Sequence, residues 1–308
     1  MRLRAQMLSS IRAFFDKREI LEVDTPVLSS AAATDCHLSS FSSNYRGPGT
    51  ADETTLYMQT SPEYAMKRLL AAGSGAIYQI CKAFRNGEAG RLHNPEFTLL
   101  EWYRPGFSYH QLMTELEALL IPLLNCQPFQ RIHYSALFQE YAGIDPFNAS
   151  TTTLRAQLAE HERPAIDEMS RDDWLNLIMS QHIEPKLGLN EPVLVYDYPP
   201  SQAMLARIRP GTPPVAERFE LYYRGVELAN GFQELSNGKE QRQRFENELQ
   251  RRHKMGLSTV PIDQRLIAAL NHGLPDCAGV ALGIDRLLML IAQKESLSDV
   301  LTFPIERA

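Results

Sequence analysis

Apolar positions recur along this chain with two periods, and each marks a different kind of element. Met7, Leu8, Ile11, Phe14 and Phe15 fall at the three- and four-residue spacing of one helix face, which predicts an amphipathic helix near the N-terminus. Leu112, Leu116, Leu119, Leu120 and Leu123 repeat that spacing. Ser108 and Gln111 form a capping-box pattern ahead of them, so a second helix is expected to run to about Asn125. Elsewhere the strand pattern takes over. Ile77-Tyr78-Gln79-Ile80-Cys81-Lys82-Ala83-Phe84-Arg85 is rich in strand-favouring residues and is followed by a loop of Asn, Gly, Glu, Arg and His. Glu96-Phe97-Thr98-Leu99-Leu100-Glu101-Trp102-Tyr103 then runs back as the second arm of a hairpin.

The remaining segments complete an α+β pattern. Leu21–Leu28 follows the first helix, and residues from about 126 to 190 are helical and loop-rich, with Trp174, Leu177 and Ile178 facing a core. No catalytic residue is expected in that stretch. Val193–Tyr196 and Phe219–Leu228 each read as a strand, and 238–255 as a charged surface helix that ends near Lys254-Met255-Gly256. Finally, the small-residue strand Ala278-Gly279-Val280-Ala281-Leu282 passes through Gly283 into a helix that opens with Asp285 and Arg286. These elements predict a mostly antiparallel sheet flanked by helices. The chain reads as one domain over residues 1–308, with a helical, loop-rich insertion at about 107–190.

Composition narrows the class. With 44% hydrophobic residues in 308, there is material for a large core. The 31 basic and 37 acidic residues give a net charge of −6, which weighs against a broad phosphate-binding face for nucleic acid. Cys36, Cys81, Cys126 and Cys277 are scattered without metal or disulfide spacing, as in reduced cytosolic proteins. There is no leader-like apolar run and no stretch of about 18 apolar residues, so a cytoplasmic protein without a membrane span is expected.

The candidate chemistry sits on the hairpin. A period of two puts Phe97, Leu99, Glu101 and Tyr103 on one face, beside Arg85. A ring, a carboxylate and a phenol next to a guanidinium make a poor core and a good cradle for an adenine, a phosphate and an ammonium group. Arg286, at a helix start beside backbone without bulky side chains, suits a phosphate tail.

Leu21–Leu28 with its helix, the Arg85 hairpin and Ala278–Leu290 resemble, in order, the three signature motifs of class II aminoacyl-tRNA synthetases. Ser61-Pro62-Glu63-Tyr64, His93-Asn94-Pro95-Glu96-Phe97-Thr98 and Glu227-Leu228-Ala229-Asn230-Gly231-Phe232-Gln233-Glu234 resemble the lysine-site segments of the lysyl branch. Synthetases of that branch carry an anticodon-reading barrel before the catalytic domain. Here the first-motif helix begins within the first ten residues and the chain ends about 20 residues after Arg286, so no tRNA-reading module is expected. The chain is most similar to freestanding ligases that attach (R)-β-lysine to a lysine side chain of translation elongation factor P. Thr34-Asp35-Cys36-His37-Leu38, Ser61 before Pro62, Pro200-Ser201-Gln202-Ala203, and Ala281 in place of glycine carry that similarity.

The resemblance implies ATP-dependent activation of (R)-β-lysine or lysine as an acyl-adenylate. Transfer to elongation factor P would follow, in a homodimer built on the first motif, with tRNA not expected as acceptor. By resemblance, Arg85 bridges the substrate carboxylate and the α-phosphate, while Arg286 and His93 bind the distal phosphate. Phe97 stacks on adenine, with Asn86 and Glu88 at the nucleotide. Glu220 and Glu227, read as lying on a strand and a turn, hold Mg²⁺. Glu63 takes the amino group nearer the carboxylate, alongside Ser61. Glu101, Tyr103 and Glu234 surround the terminal ammonium. Asn230 assists Arg85, Phe232 lines the aliphatic stem, and Ala281 narrows the pocket wall.

Other readings stay open at this level. Phe97 could belong to the core, Glu220 and Glu227 to a solvated face, His93 to loop hydrogen bonding, and the acids to pairs with internal Lys or Arg. A minimal synthetase that charges tRNA, an amide-forming relative of asparagine synthetase and a non-catalytic regulatory paralogue are the alternative functions. One departure stands out: the family's Phe-Arg-Asn-Glu reads Phe84-Arg85-Asn86-Gly87 here. Either Glu88 reaches into the vacated place or backbone groups read adenine.

Overall fold

The computed structural model describes residues 1–47, 54–163 and 169–308. The chain divides into two compact units, one formed by Met1–Ser108 with Leu235–Ala308 and the other by Tyr109–Glu234.

In the first unit the helical periodicity at the N-terminus becomes the helix Arg2–Asp16, which buries Met7, Ile11 and Phe15; Leu8 and Phe14 stay half-buried at its flanks. Phe15 stacks on Tyr78 at 4.3 Å between ring centroids and meets Trp102 edge-on at 5.4 Å. That aromatic contact fixes which sheet face is core. The hairpin forms as expected, from Ile77–Phe84 and Glu96–Pro105, antiparallel and with unbroken register from Ile77↔Tyr103 to Phe84↔Glu96. Cys277–Gly283 adds antiparallel to the return arm, and Leu21–Glu22 adds parallel to the outgoing one. Leu21–Leu28 is not one strand, because Leu28–Ser29 belongs to a separate three-stranded sheet with Thr54–Met58 and Ser42–Tyr45. Pro26, which has no N–H to donate, lies between the two pieces.

The helix Gly238–Lys254 is capped by Asn237, whose side chain accepts from the backbone N–H groups of Lys239 and Glu240. It is not purely a surface helix. Gln241, Phe245 and Arg252 are buried, and Arg252 donates to the carbonyls of Asp35, Leu38 and Ser258. A buried guanidinium thus holds the Thr34–Leu38 segment in place.

The second unit pairs Val193–Tyr198, Val215–Tyr223 and Val226–Gln233 antiparallel, with Gln130–His133 parallel to the first of these. Its helices pack Tyr134, Phe138, Leu154, Trp174, Leu175 and Ile178 against Val195, Tyr198 and Tyr222; Leu177 is half-buried beside them. Tyr109–Leu124 forms the helix expected there, with Leu112, Leu116, Leu119 and Leu120 buried. The single strand expected at Phe219–Leu228 is instead two strands. Arg224 and Gly225, with φ of 52° and 69°, close a two-residue turn between them. Positive φ at both central residues is the turn geometry that matches strand twist, and glycine adopts it without strain.

Candidate active site

Each unit carries part of the chemistry. In the first, the unbroken hairpin register makes Phe97, Leu99, Glu101 and Tyr103 a single face, opposite the one that meets Phe15. Arg85 follows the last residue of the outgoing strand, and its backbone N–H donates to the Pro95 carbonyl at 2.9 Å. Its guanidinium lies over Phe97, 5.0 Å from the ring centroid, and its Nη1 is 3.7 Å from Glu88 Oε1. The buried Nε of Arg85 has no acceptor. Phe97 is half-buried, so it is not a core residue, and one ring face is matched to a cation. Asn86 is exposed and anchored through its N–H to the Ser39 carbonyl at 2.7 Å.

Gly87 has φ of +85°, and no atom lies within 4 Å of the place a Cβ would occupy. The backbone conformation, rather than crowding, is what suits glycine there. Glu88 turns back towards Arg85.

His93 Nε2 accepts from Arg286 Nη2 at 2.9 Å, and Arg286 Nε donates to the Leu92 carbonyl at 3.2 Å. Burial, reinforced by the Arg286 charge, holds the His93 imidazole below its ordinary pKa. It is therefore neutral and serves as acceptor, with its proton on Nδ1. The loop is tied down in a way the sequence did not announce. Asn94 accepts from the N–H of Ile305, and Arg91 exchanges backbone and side-chain bonds with Leu297 and Glu295. Asp285, the residue before Arg286, is 2% exposed; it accepts from the Thr98 N–H at 2.7 Å and from Arg4.

Of the residues expected at the amino acid in this unit, Glu101, Tyr103 and Ala281 lie on the same sheet, and Ser61 and Glu63 lie off it. Glu101 is 2% exposed and its Oε1 accepts from the Tyr103 hydroxyl at 2.6 Å. Ala281 stands directly opposite Glu101 on the neighbouring strand, so its methyl group sits beside that carboxylate. Glu63 is the first residue of the helix Glu63–Ala71, behind Ser61, whose hydroxyl accepts from the Glu63 N–H. Its carboxylate takes a bond of 2.6 Å from the buried Lys67, one turn on. An internal lysine therefore already partners this acid, a pairing readable from the four-residue spacing.

In the second unit, Arg218 pairs with Phe232, Glu220 with Asn230, and Tyr222 with Glu227 across the hairpin. Register shifts between Leu221 and Tyr222, and Leu228 is skipped as the bulged residue. The bulge places Glu227 on the same face as Asn230, three residues away, where a regular strand would put them on opposite faces. Glu227 is therefore on the return strand rather than in a turn. Glu220 is buried and accepts from Arg218, from Tyr222 and, at 2.7 Å, from Tyr198. It is not a solvated acid. Arg218, missed in the sequence although it lies two residues before Glu220 on the same face, also donates to Asn230 Oδ1 at 3.3 Å. Burial works against the Arg218 charge, yet Glu220 and the neighbouring phenols outweigh it and raise the guanidinium pKa. Phe232 and Glu234 are buried at the end of this strand.

Glu220 and Glu227 offer oxygen donors of the kind Mg²⁺ takes, with water and phosphate completing its shell. Three of the roughly four lone-pair sites on Glu220 are occupied by donors, and Glu227 is half-buried. Among the described residues, the group of three or more potential metal-ligand atoms within 4.8 Å is Asp35, Cys36 and Glu248. There Arg251 bridges to Glu248 at 3.1 Å, and burial pushes the Cys36 thiol up to about 11.

The fold and this arrangement define an adenylate-forming synthetase scaffold, and comparison with known proteins agrees. The model of the family "tRNA synthetases class II (D, K and N)" matches residues 1–307, and the chain belongs to that family. Among its relatives, the protein named elongation factor P–(R)-β-lysine ligase from Edwardsiella ictaluri is 52% identical over 307 residues, covering 99% of this chain and 94% of its own. The proteins of the same name from Haemophilus influenzae and Photobacterium profundum are 50% and 52% identical. They span 99% of this chain and 94% and 95% of theirs. Among the described residues no helix is long and apolar enough to cross a membrane.

Proposed function

We propose that this protein activates (R)-β-lysine with ATP and transfers the acyl group to a lysine side chain of translation elongation factor P. The observation that carries the activation step is Arg85, stacked over Phe97 with a buried Nε that lacks an acceptor. A planar guanidinium with an open donor beside an aromatic face is built to take an oxyanion next to a base. The names borne by relatives of about half identity over nearly the whole chain support the amino acid and the acceptor.

In the first step the substrate carboxylate attacks the α-phosphorus. A new P–O bond forms, the bond to the bridging oxygen breaks, and pyrophosphate leaves with the electron pair. Arg85 neutralises the charge shared by the carboxylate and the α-phosphate, and Arg286 takes the distal phosphate with neutral His93 steadying it. Mg²⁺, held by Glu227 and the remaining lone pair of Glu220, would offset charge on the leaving phosphates. Glu101, Tyr103 and Glu234 bind the terminal ammonium. Glu63, already paired with Lys67, orients the other amino group at the cost of sharing its charge. In the second step the acceptor amine attacks the acyl carbon, AMP departs, and the nitrogen loses its extra proton to solvent. A second copy of the chain, covering the exposed Leu21, Val27 and Leu28, is part of the proposal.

The test is pyrophosphate exchange with (R)-β-lysine and with lysine, followed by transfer to elongation factor P or to tRNA. Exchange with either amino acid and labelling of one acceptor lysine are expected. Equal labelling of an unrelated lysine-rich protein, or a product that requires tRNA, would refute the acceptor.

A further inference from the structure

Gln79 lies on the outgoing hairpin strand and is 1% exposed. In register it stands opposite Glu101, which in turn stands opposite Ala281, so the three side chains form one row across three adjacent strands. Directly opposite residues on one face have Cβ atoms about 4.5–5.5 Å apart, close enough for an amide to reach a carboxylate. The Gln79 Oε1 accepts from the buried Thr25 hydroxyl at 3.0 Å. That bond turns the amide oxygen towards Thr25 and leaves the NH₂ end for the rest of the row. The Nε2 group has no partner in the structure.

A buried amide N–H₂ without an acceptor is costly, and in a native protein such a group is met by water, an ion, a ligand or a rearranged neighbour. The acceptor available in this row is the carboxylate of Glu101. With its charge drawn to a substrate ammonium, that carboxylate gains from a further donor, because hydrogen bonds to an ionised group are the strong ones. An acid in place of Gln79 would do the opposite, since two facing buried carboxylates share a proton and cannot both stay charged. The neutral amide therefore sets both the aim and the charge of this end of the pocket.

We propose that Gln79 is a positioning residue that determines amino-acid specificity. It donates to Glu101 when substrate binds, with Thr25 fixing the orientation of its amide. This rests on the amino-acid pocket assigned above. The experiment is pyrophosphate exchange by the full chain, with KM for (R)-β-lysine and for ATP measured from pH 5.5 to 8.5. Gln79→Met keeps the volume and removes the donor. It is expected to raise KM for the amino acid roughly tenfold, the equivalent of one hydrogen bond to a charged group, with KM for ATP within about twofold. Gln79→Glu is expected to add an ionisation to the pH profile of the amino-acid KM that the native protein lacks. Thr25→Val, one step removed, should give a smaller rise in the same constant. Folding of each variant is checked by its thermal transition. An amino-acid KM unchanged in Gln79→Met, or both KM values rising together, would overturn the assignment. Absence of amino-acid-dependent exchange in the native protein would instead defeat the underlying function, and this proposal with it.

Discussion

Arg218→Met gives the most demanding test of how the second unit holds its acids. The native guanidinium satisfies Glu220, donates to the Gln202 carbonyl at 3.0 Å and to Asn230 at 3.3 Å, and lies 4.4 Å from the Tyr198 ring centroid. Side-chain exposure is 12% for Arg218 and 10% for Glu220, so solvent screens the pair only weakly. Methionine preserves most of the apolar stem, so packing contributes little to the loss. The dominant effect is a buried carboxylate left with only the two tyrosine hydroxyls, and removing one partner of such a pair costs about 3–5 kcal/mol. Unfolding in urea should show this deficit. In a Trp102→Phe background the fluorescence reports on Trp174, which lies in the core of the same unit. Arg218→Met combined with Glu220→Gln should recover part of the loss, with a coupling of roughly 2–3 kcal/mol. A single-variant loss below about 1 kcal/mol, or strict additivity in the double variant, would refute the view that this pair is an interdependent buried unit.

Glu234→Gln should raise KM for the amino acid roughly tenfold or more while leaving KM for ATP within about twofold, since one charged hydrogen bond to an ammonium is lost; an unaltered amino-acid constant in pyrophosphate exchange would remove Glu234 from the pocket. Ala281→Gly opens space beside Glu101 and should shift the preference between (R)-β-lysine and lysine towards lysine by roughly tenfold at most. A competition assay with both substrates measures the ratio, and an unchanged ratio would refute the role of the methyl group. His93, whose pKa burial and Arg286 lower from 6.5, takes up its proton later than the unfolded chain does as pH falls. The folded state therefore loses stability below about pH 6.5, and His93→Gln should lessen that acid-side loss in thermal melts at pH 8 and 5.5; identical pH slopes would refute it.

What the sequence by itself determined is local. The two-residue alternation of the return strand placed Phe97, Glu101 and Tyr103 together, and the structure keeps that face because its register never slips. The N-terminal helix, the Tyr109–Leu124 helix and the step from strand to helix at Gly283 were legible for the same reason: their patterns repeat within one or two turns or pleats. What only the tertiary structure decided depends on register and on distant partners. Nothing in Glu227-Leu228-Ala229-Asn230 announces that Leu228 is skipped, yet that bulge alone puts Glu227 and Asn230 on one face. Spacing suggests that Glu63 and Lys67 can meet, but the burial that makes their bond matter comes from packing. The donors that hold Asn94 and Asp285, Ile305 and Thr98 respectively, lie about 190 to 210 residues away. A periodicity reports which face a side chain takes relative to its near neighbours. Which group it meets across the fold is set by how far each strand has slid against the next, and that is a property of the packed chain.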